Sequence, residues 1–167
     1  MRRLLVVLAF ALFAAPAFAT DVPNGQENLF SAYIGKFDVF GAGTDKQSMA
    51  VGGEYWFQDE YHGLRPVAGG FGNSDGGLYG YAGAYWDLPL GSWPIIISPG
   101  FAVGAYHEGG SKNLGGLLEF RSTLEATYGF ASGDRLGMAL SHLSNANLGT
   151  TNPGVEVLQV VYSKALY

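Results

Sequence analysis

Cysteine is absent from the 167 residues, so no disulfide framework holds this chain together, although small exported domains commonly depend on one. Charge is sparse as well: 14% of residues are charged, and nine Lys and Arg face fourteen Asp and Glu. A net charge of −5 offers no basic footprint for a phosphate backbone and argues against nucleic acid as a partner. Long hydrophobic runs are also missing. Beyond the first nineteen residues nothing approaches the ~18 continuous apolar residues of a spanning helix.

What is present begins with Met1-Arg2-Arg3, a short basic head, followed by an apolar run from Leu4 to Ala15 and the small-residue site Ala17-Phe18-Ala19. That order predicts a signal peptide over residues 1–19, cleaved after Ala19, and one exported domain over 20–167. Losing Arg2 and Arg3 takes the formal charge from −5 to −7. Gly contributes 26 residues and aromatics 14%. A soluble barrel of this size would carry a more charged surface. An exported, rather apolar chain with neither disulfide nor spanning helix can still gain stability by closing a sheet inside a bilayer, where every strand edge is paired.

The periodicity agrees. Short alternating stretches separated by turn residues predict strands near 29–40, 49–57, 64–72, 77–88, 94–106, 116–130, 135–145 and 155–166. In the fifth, Ile95, Ile97, Phe101 and Val103 share one face, while Ile96, Ser98, Gly100, Ala102 and Gly104 share the other. Bulky apolar residues suit lipid and small ones a narrow lumen. Pro99 interrupts this pattern, since it cannot donate to a ladder. In the sixth, Leu118, Phe120, Leu124 and Tyr128 alternate with Glu119, Arg121, Thr123, Glu125 and Thr127. A polar lumen would accommodate those charges, with Arg121 between the two carboxylates. The expected fold is all-β: an eight-stranded antiparallel transmembrane β-barrel.

With both ends of the domain periplasmic, the connections 41–48, 72–76, 107–115 and 146–154 face the exterior. Tyr79, Tyr81, Tyr85 and Trp86 of the fourth strand are expected in an aromatic girdle, and Trp56, Trp86 and Trp93 as interface anchors. His107, beside Glu108, is expected in an outer loop, and Lys46 and Lys112 are too sparse there to define a phosphate site.

The segment most suggestive of chemistry is Ser141-His142-Leu143-Ser144-Asn145, followed by Asn152-Pro153-Gly154-Val155-Glu156. Serine acyl transfer needs a base within reach of the hydroxyl and a third group to orient that base. Residues two apart on a strand share a face, so His142 and Ser144 are neighbours, and antiparallel pairing can return Glu156 beside His142. Leu136, Met138 and Leu140 share the face of His142 and Ser144, and Leu158, Val160 and Tyr162 share that of Glu156. All three polar residues are therefore expected to face lipid near the outer leaflet, a costly position for ionisable groups without a function. The bland alternative is a set of ordinary turn contacts at strand ends.

His-x-Ser-Asn with Glu fourteen positions after the His resembles the active-site motif of the lipid A 3-O-deacylase family. The resemblance is sharp over 142–156 and extends to the rest of the exported chain in architecture. It implies a bacterial outer-membrane barrel that hydrolyses the ester of the 3-position hydroxyacyl chain of lipid A. Residue by residue it makes Ser144 the nucleophile, His142 the general base and Glu156 its orienting acid. Asn145 is the first candidate for oxyanion support and Asn152 the second.

Neither metal nor cofactor is expected, because His62, His107 and His142 lie in separate segments without ligand spacing. Expected partners are lipid A or lipopolysaccharide as substrate and the surrounding outer-membrane lipids, with a homodimer as an open alternative to the single barrel. Two other functional classes compete with the esterase. One is a small structural or adhesive outer-membrane barrel, and the other a soluble exported barrel for an apolar ligand. An inward Glu119, Arg121 and Glu125 would make the last awkward.

Overall fold

A computed structural model describes residues 27–41 and 47–167. The expected signal peptide and Lys46 lie outside the described residues. Eight spanning strands follow one another: β1 (Asn28–Phe37), β2 (Ser48–Trp56), β3 (Leu64–Asn73), β4 (Leu78–Trp86), β5 (Ile95–His107), β6 (Leu118–Gly129), β7 (Arg135–Ser144) and β8 (Val155–Leu166). Each pairs antiparallel with its neighbours in sequence, β1 pairs with β8, and no strand edge is left open. This is the closed eight-stranded barrel that the alternation predicts.

Pro99 is tolerated for a local reason. The β4–β5 ladder ends at Tyr85–Gly100 and resumes, in unchanged register, at Leu88–Ile97. Pro99 therefore falls in the gap between the two ladders on that side, where a missing N–H costs least.

The predicted faces of β5 and β6 hold. Ile96, Ser98, Ala102, Glu119, Arg121, Thr123, Glu125 and Thr127 are buried inward, whereas Phe101, Val103, Leu118, Leu124 and Tyr128 are exposed. With Phe30, Ile34, Val51, Met138 and Val160, also exposed, these side chains form an apolar outer wall. In water such a surface would be a severe liability; in a bilayer it is the expected one.

The lumen is packed rather than open. Trp56, fully buried, stacks on Tyr85 with ring centroids 4.4 Å apart. The guanidinium groups of Arg65 and Arg135 lie 5.6 and 5.8 Å from the Trp56 ring. Both arginines pair with Asp87, at 3.5 and 2.8 Å. Midway up, Arg121 pairs with Glu54 at 3.2 Å, donates to Ser141 Oγ at 3.1 Å and covers the Tyr81 ring at 4.5 Å. Above it, Phe37, Phe71, Tyr79, Tyr106, Leu143 and Val157 close an aromatic and aliphatic core.

Two expectations are corrected here. Tyr79, Tyr81, Tyr85 and Trp56 are lumen residues and not girdle or anchor residues; of the expected anchors, Trp86 and Trp93 are exposed. The neighbouring strand β5 makes room for the rings. Gly100 is the register partner of Tyr85 and Gly104 that of Tyr81, and a Cβ at Gly100 would stand 2.4 Å from the Tyr85 ring. Arg121, in turn, finds its ion-pair partner across the lumen on β2, not in Glu119 or Glu125 of its own strand.

Candidate active site

The outer end of β7 and the start of β8 carry the polar residues singled out above. His142 and Glu156 are direct register partners, and their side chains meet on the outer face. Nδ1 lies 3.1 Å from Glu156 Oε1, with the two side chains 48% and 32% exposed. A carboxylate accepting at Nδ1 fixes the tautomer in which Nε2 is the free base.

The far edge of the ring is set by Gly154. Continued one step past the Leu143–Val155 pair, the register brings Gly154 to the level of Ser144. An ideal Cβ on Gly154 would lie 2.8 Å from His142 Cε1 and 3.4 Å from Nε2. The Cε1–Nε2 edge thus leans toward the Ser144 end of the strand. Gly154 also has φ +66°, a conformation that disfavours any side chain. Ser144, two residues along the same face, is half-buried. Its hydroxyl makes no hydrogen bond to His142 or to any other described residue. His142 and Glu156 are joined, while Ser144 is adjacent and unbonded.

The sequence profile of the PagL family, lipid A 3-O-deacylase, matches residues 38–165. The chain belongs to that family.

Among solved structures, the outer-membrane enzyme PagL superposes with a TM-score of 0.65 at 22% identity, over 83% of this chain and 99% of that one. Neisserial surface protein A superposes with a TM-score of 0.59 at 11% identity, over 84% and 97% respectively. Both likenesses are of fold, that of an outer-membrane barrel. A comparison with curated protein sequences gives no match.

In this PagL-family barrel the outer connection after Ser144 is tied down by Asn145. Its side chain is buried, and Nδ2 donates to the carbonyls of Leu114 and Thr151, each at 2.7 Å. Its backbone N–H donates to Asn152 Oδ1 at 3.1 Å. Thr150 N–H adds a bond to the Gly115 carbonyl at 2.8 Å. The 146–154 connection is thereby stapled to the 107–115 connection, which holds the backbone that joins Ser144 to Glu156. Both candidate asparagines are brought to the site, but every donor of Asn145 is already engaged. Asn152 uses its oxygen and keeps an uncommitted amide N–H₂ among the described residues.

One residue escaped the sequence reading. Ser122 of β6 is the register partner of His142 on the side away from Glu156. A hydroxyl among Phe120, Leu124 and Tyr128 on an apolar outer face is the signal that could have found it. Elsewhere on the outer rim, Lys112 pairs with Asp38 at 2.9 Å. Among the described residues no three His, Asp or Glu side chains converge to hold a metal ion.

Proposed function

We propose that this barrel removes the 3-O-linked hydroxyacyl chain of lipid A by a serine mechanism, with Ser144 as nucleophile, His142 as general base and Glu156 as orienting acid. The observation that carries the reading is the His142 Nδ1–Glu156 Oε1 contact of 3.1 Å on the lipid-facing surface, with Ser144 on the same face. A paired imidazole and carboxylate contribute nothing to packing against acyl chains, and such groups in a membrane mark functional positions.

In this mechanism Ser144 Oγ attacks the ester carbonyl carbon as His142 Nε2 takes its proton. Glu156 stabilises the resulting imidazolium through Nδ1–H. The tetrahedral oxyanion needs a donor, and Asn152, whose amide N–H₂ is uncommitted, suits that role better than Asn145. Asn145 then acts by holding the connection in place. Collapse of the intermediate breaks the bond to the sugar oxygen, which leaves with the proton carried by His142. Water, deprotonated by the same imidazole, next releases the fatty acid from Ser144.

The test is mass spectrometry of lipid A from outer membranes carrying either the native protein or Ser144→Ala. Loss of one hydroxyacyl group with the native protein alone is the expected result. Unchanged lipid A in both, with the native barrel folded and inserted, would overturn the reading.

A further inference from the structure

Among the described strands, one cation on the lipid-facing surface has no partner within the protein. Among the cations of the described strands, Arg65, Arg121 and Arg135 are buried inward, and Lys164 pairs with Asp134 at 3.1 Å near the periplasmic rim. Lys36 is different. It is the penultimate residue of β1, at the outer rim, and it is exposed on the outer face. No described residue hydrogen-bonds or ion-pairs with it. Its register partner on β8 is Leu158, which makes Glu156 its diagonal neighbour, roughly 7–8 Å away by the ordinary spacing of a sheet.

A lysine on the lipid face is unfavourable at the bilayer centre and nearly neutral at the interface. Its level therefore places the ammonium where head groups lie, on a flexible four-carbon stem that can move to meet an anion. An anionic head group docking over His142 and Ser144 also approaches the Glu156 carboxylate, a repulsion that a cation beside it offsets. We propose that Lys36 binds a phosphate of the glycolipid head group, completing a site in which β1 holds the anion while β7 and β8 hold the reacting ester. This rests on the glycolipid esterase reading above and names the feature of the substrate that the site selects.

Selectivity and binding test it separately. In mixed micelles, kcat/KM would be measured for a phosphorylated lipid A and for its enzymatically dephosphorylated form with the native protein, Lys36→Met and Lys36→Arg. The ratio of the two values should fall about tenfold in Lys36→Met, the order of one charge-assisted hydrogen bond, mainly through KM, and Lys36→Arg should restore most of it. An unchanged ratio overturns the proposal. Retention of phosphorylated lipid A by the detergent-solubilised Ser144→Ala barrel, read by native mass spectrometry, needs no turnover and should weaken by a similar factor when Lys36→Met is added. Hydrolysis failing in the native protein, with that retention still Lys36-dependent, would count against the esterase reading and not against Lys36. An equal loss of phosphatidylglycerol retention would overturn the proposal by making Lys36 a general anionic-lipid contact.

Discussion

Gly154 sits against the edge of the His142 imidazole so closely that a Cβ there would come within 2.8 Å of Cε1. The His142–Glu156 contact fixes one side of the ring, and the bare backbone of Gly154 leaves room for the other. Gly154→Ala should rotate or displace the imidazole and lower hydrolysis by about a hundredfold, the scale of a misplacement of roughly 1 Å. Gly76→Ala is the control for backbone strain alone, because Gly76 has φ +86° but its Cβ would meet nothing nearer than 3.8 Å. Rates would be compared at equal folded fraction, judged by the heat-modifiable gel migration of the barrel. Equal loss in both variants would show that strain, not ring position, is responsible.

Ser144 and Ser122 both neighbour His142, and the proposed mechanism makes only one of them the nucleophile. The lean of the ring toward Gly154 favours Ser144. Ser144→Ala should abolish release of the acyl chain, whereas Ser122→Ala should stay within about threefold of native. Trapping with a fluorophosphonate and peptide mapping would locate the modified serine directly.

Glu156→Ala should leave a small residual rate, because an orienting acid is less critical than nucleophile or base. Glu156→Gln should be no better than Ala, since an amide can donate to Nδ1 and stabilise the wrong tautomer. Steady-state rates on the same lipid A substrate would check the order.

Inside the barrel, Arg121→Ala leaves the Glu54 carboxylate buried without its partner. Breaking such a pair costs about 3–5 kcal/mol, while Glu54→Leu with Arg121→Met should recover at least half of that. Urea unfolding midpoints in detergent or lipid would measure both. A double variant no more stable than Arg121→Ala would show that Arg121 acts mainly through Ser141 and the Tyr81 ring.

At the periplasmic rim, Asp134 accepts from the Ala165 N–H at 3.0 Å and also meets Lys164 and the Tyr162 hydroxyl. These contacts, the backbone N–H first, hold its carboxyl at about 2 against an ordinary 3.8. A group depressed on folding adds stability that is complete above the unfolded pKa and is lost as pH falls through the folded one. Asp134→Asn should therefore flatten the acid dependence of unfolding between about pH 4 and pH 2, with little pH-dependent difference from native above that window.

Much of this architecture was legible in the sequence because alternation has one meaning on a closed barrel. Ile96 and Ser98 had to face away from Ile95 and Ile97, and the spacing of His142, Ser144 and Glu156 followed from the same rule. Residue type was a weaker guide. Tyr85 and Trp56 belong to a class common at membrane interfaces, and only the pairing of Tyr85 with Gly100 reveals that they fill the lumen. Arg121 illustrates a second boundary. Strand periodicity orders residues along one strand, but the Arg121–Glu54 contact spans the barrel and depends on its diameter and shear. The bonds of the Asn145 side chain to Leu114 and Thr151 were not legible, because loop contacts have no periodicity to read.

A filled lumen has a consequence for kinetics. With rings and ion pairs occupying the interior, the described residues leave the lumen filled, and in the proposed reaction the cleaved fatty acid stays in the plane in which it was bound. Encounter is lateral diffusion in a leaflet. Turnover should follow the mole fraction of substrate in the surface and the fluidity of its neighbours, and diluting a micelle with inert detergent should slow the reaction even when the total substrate in the tube is unchanged.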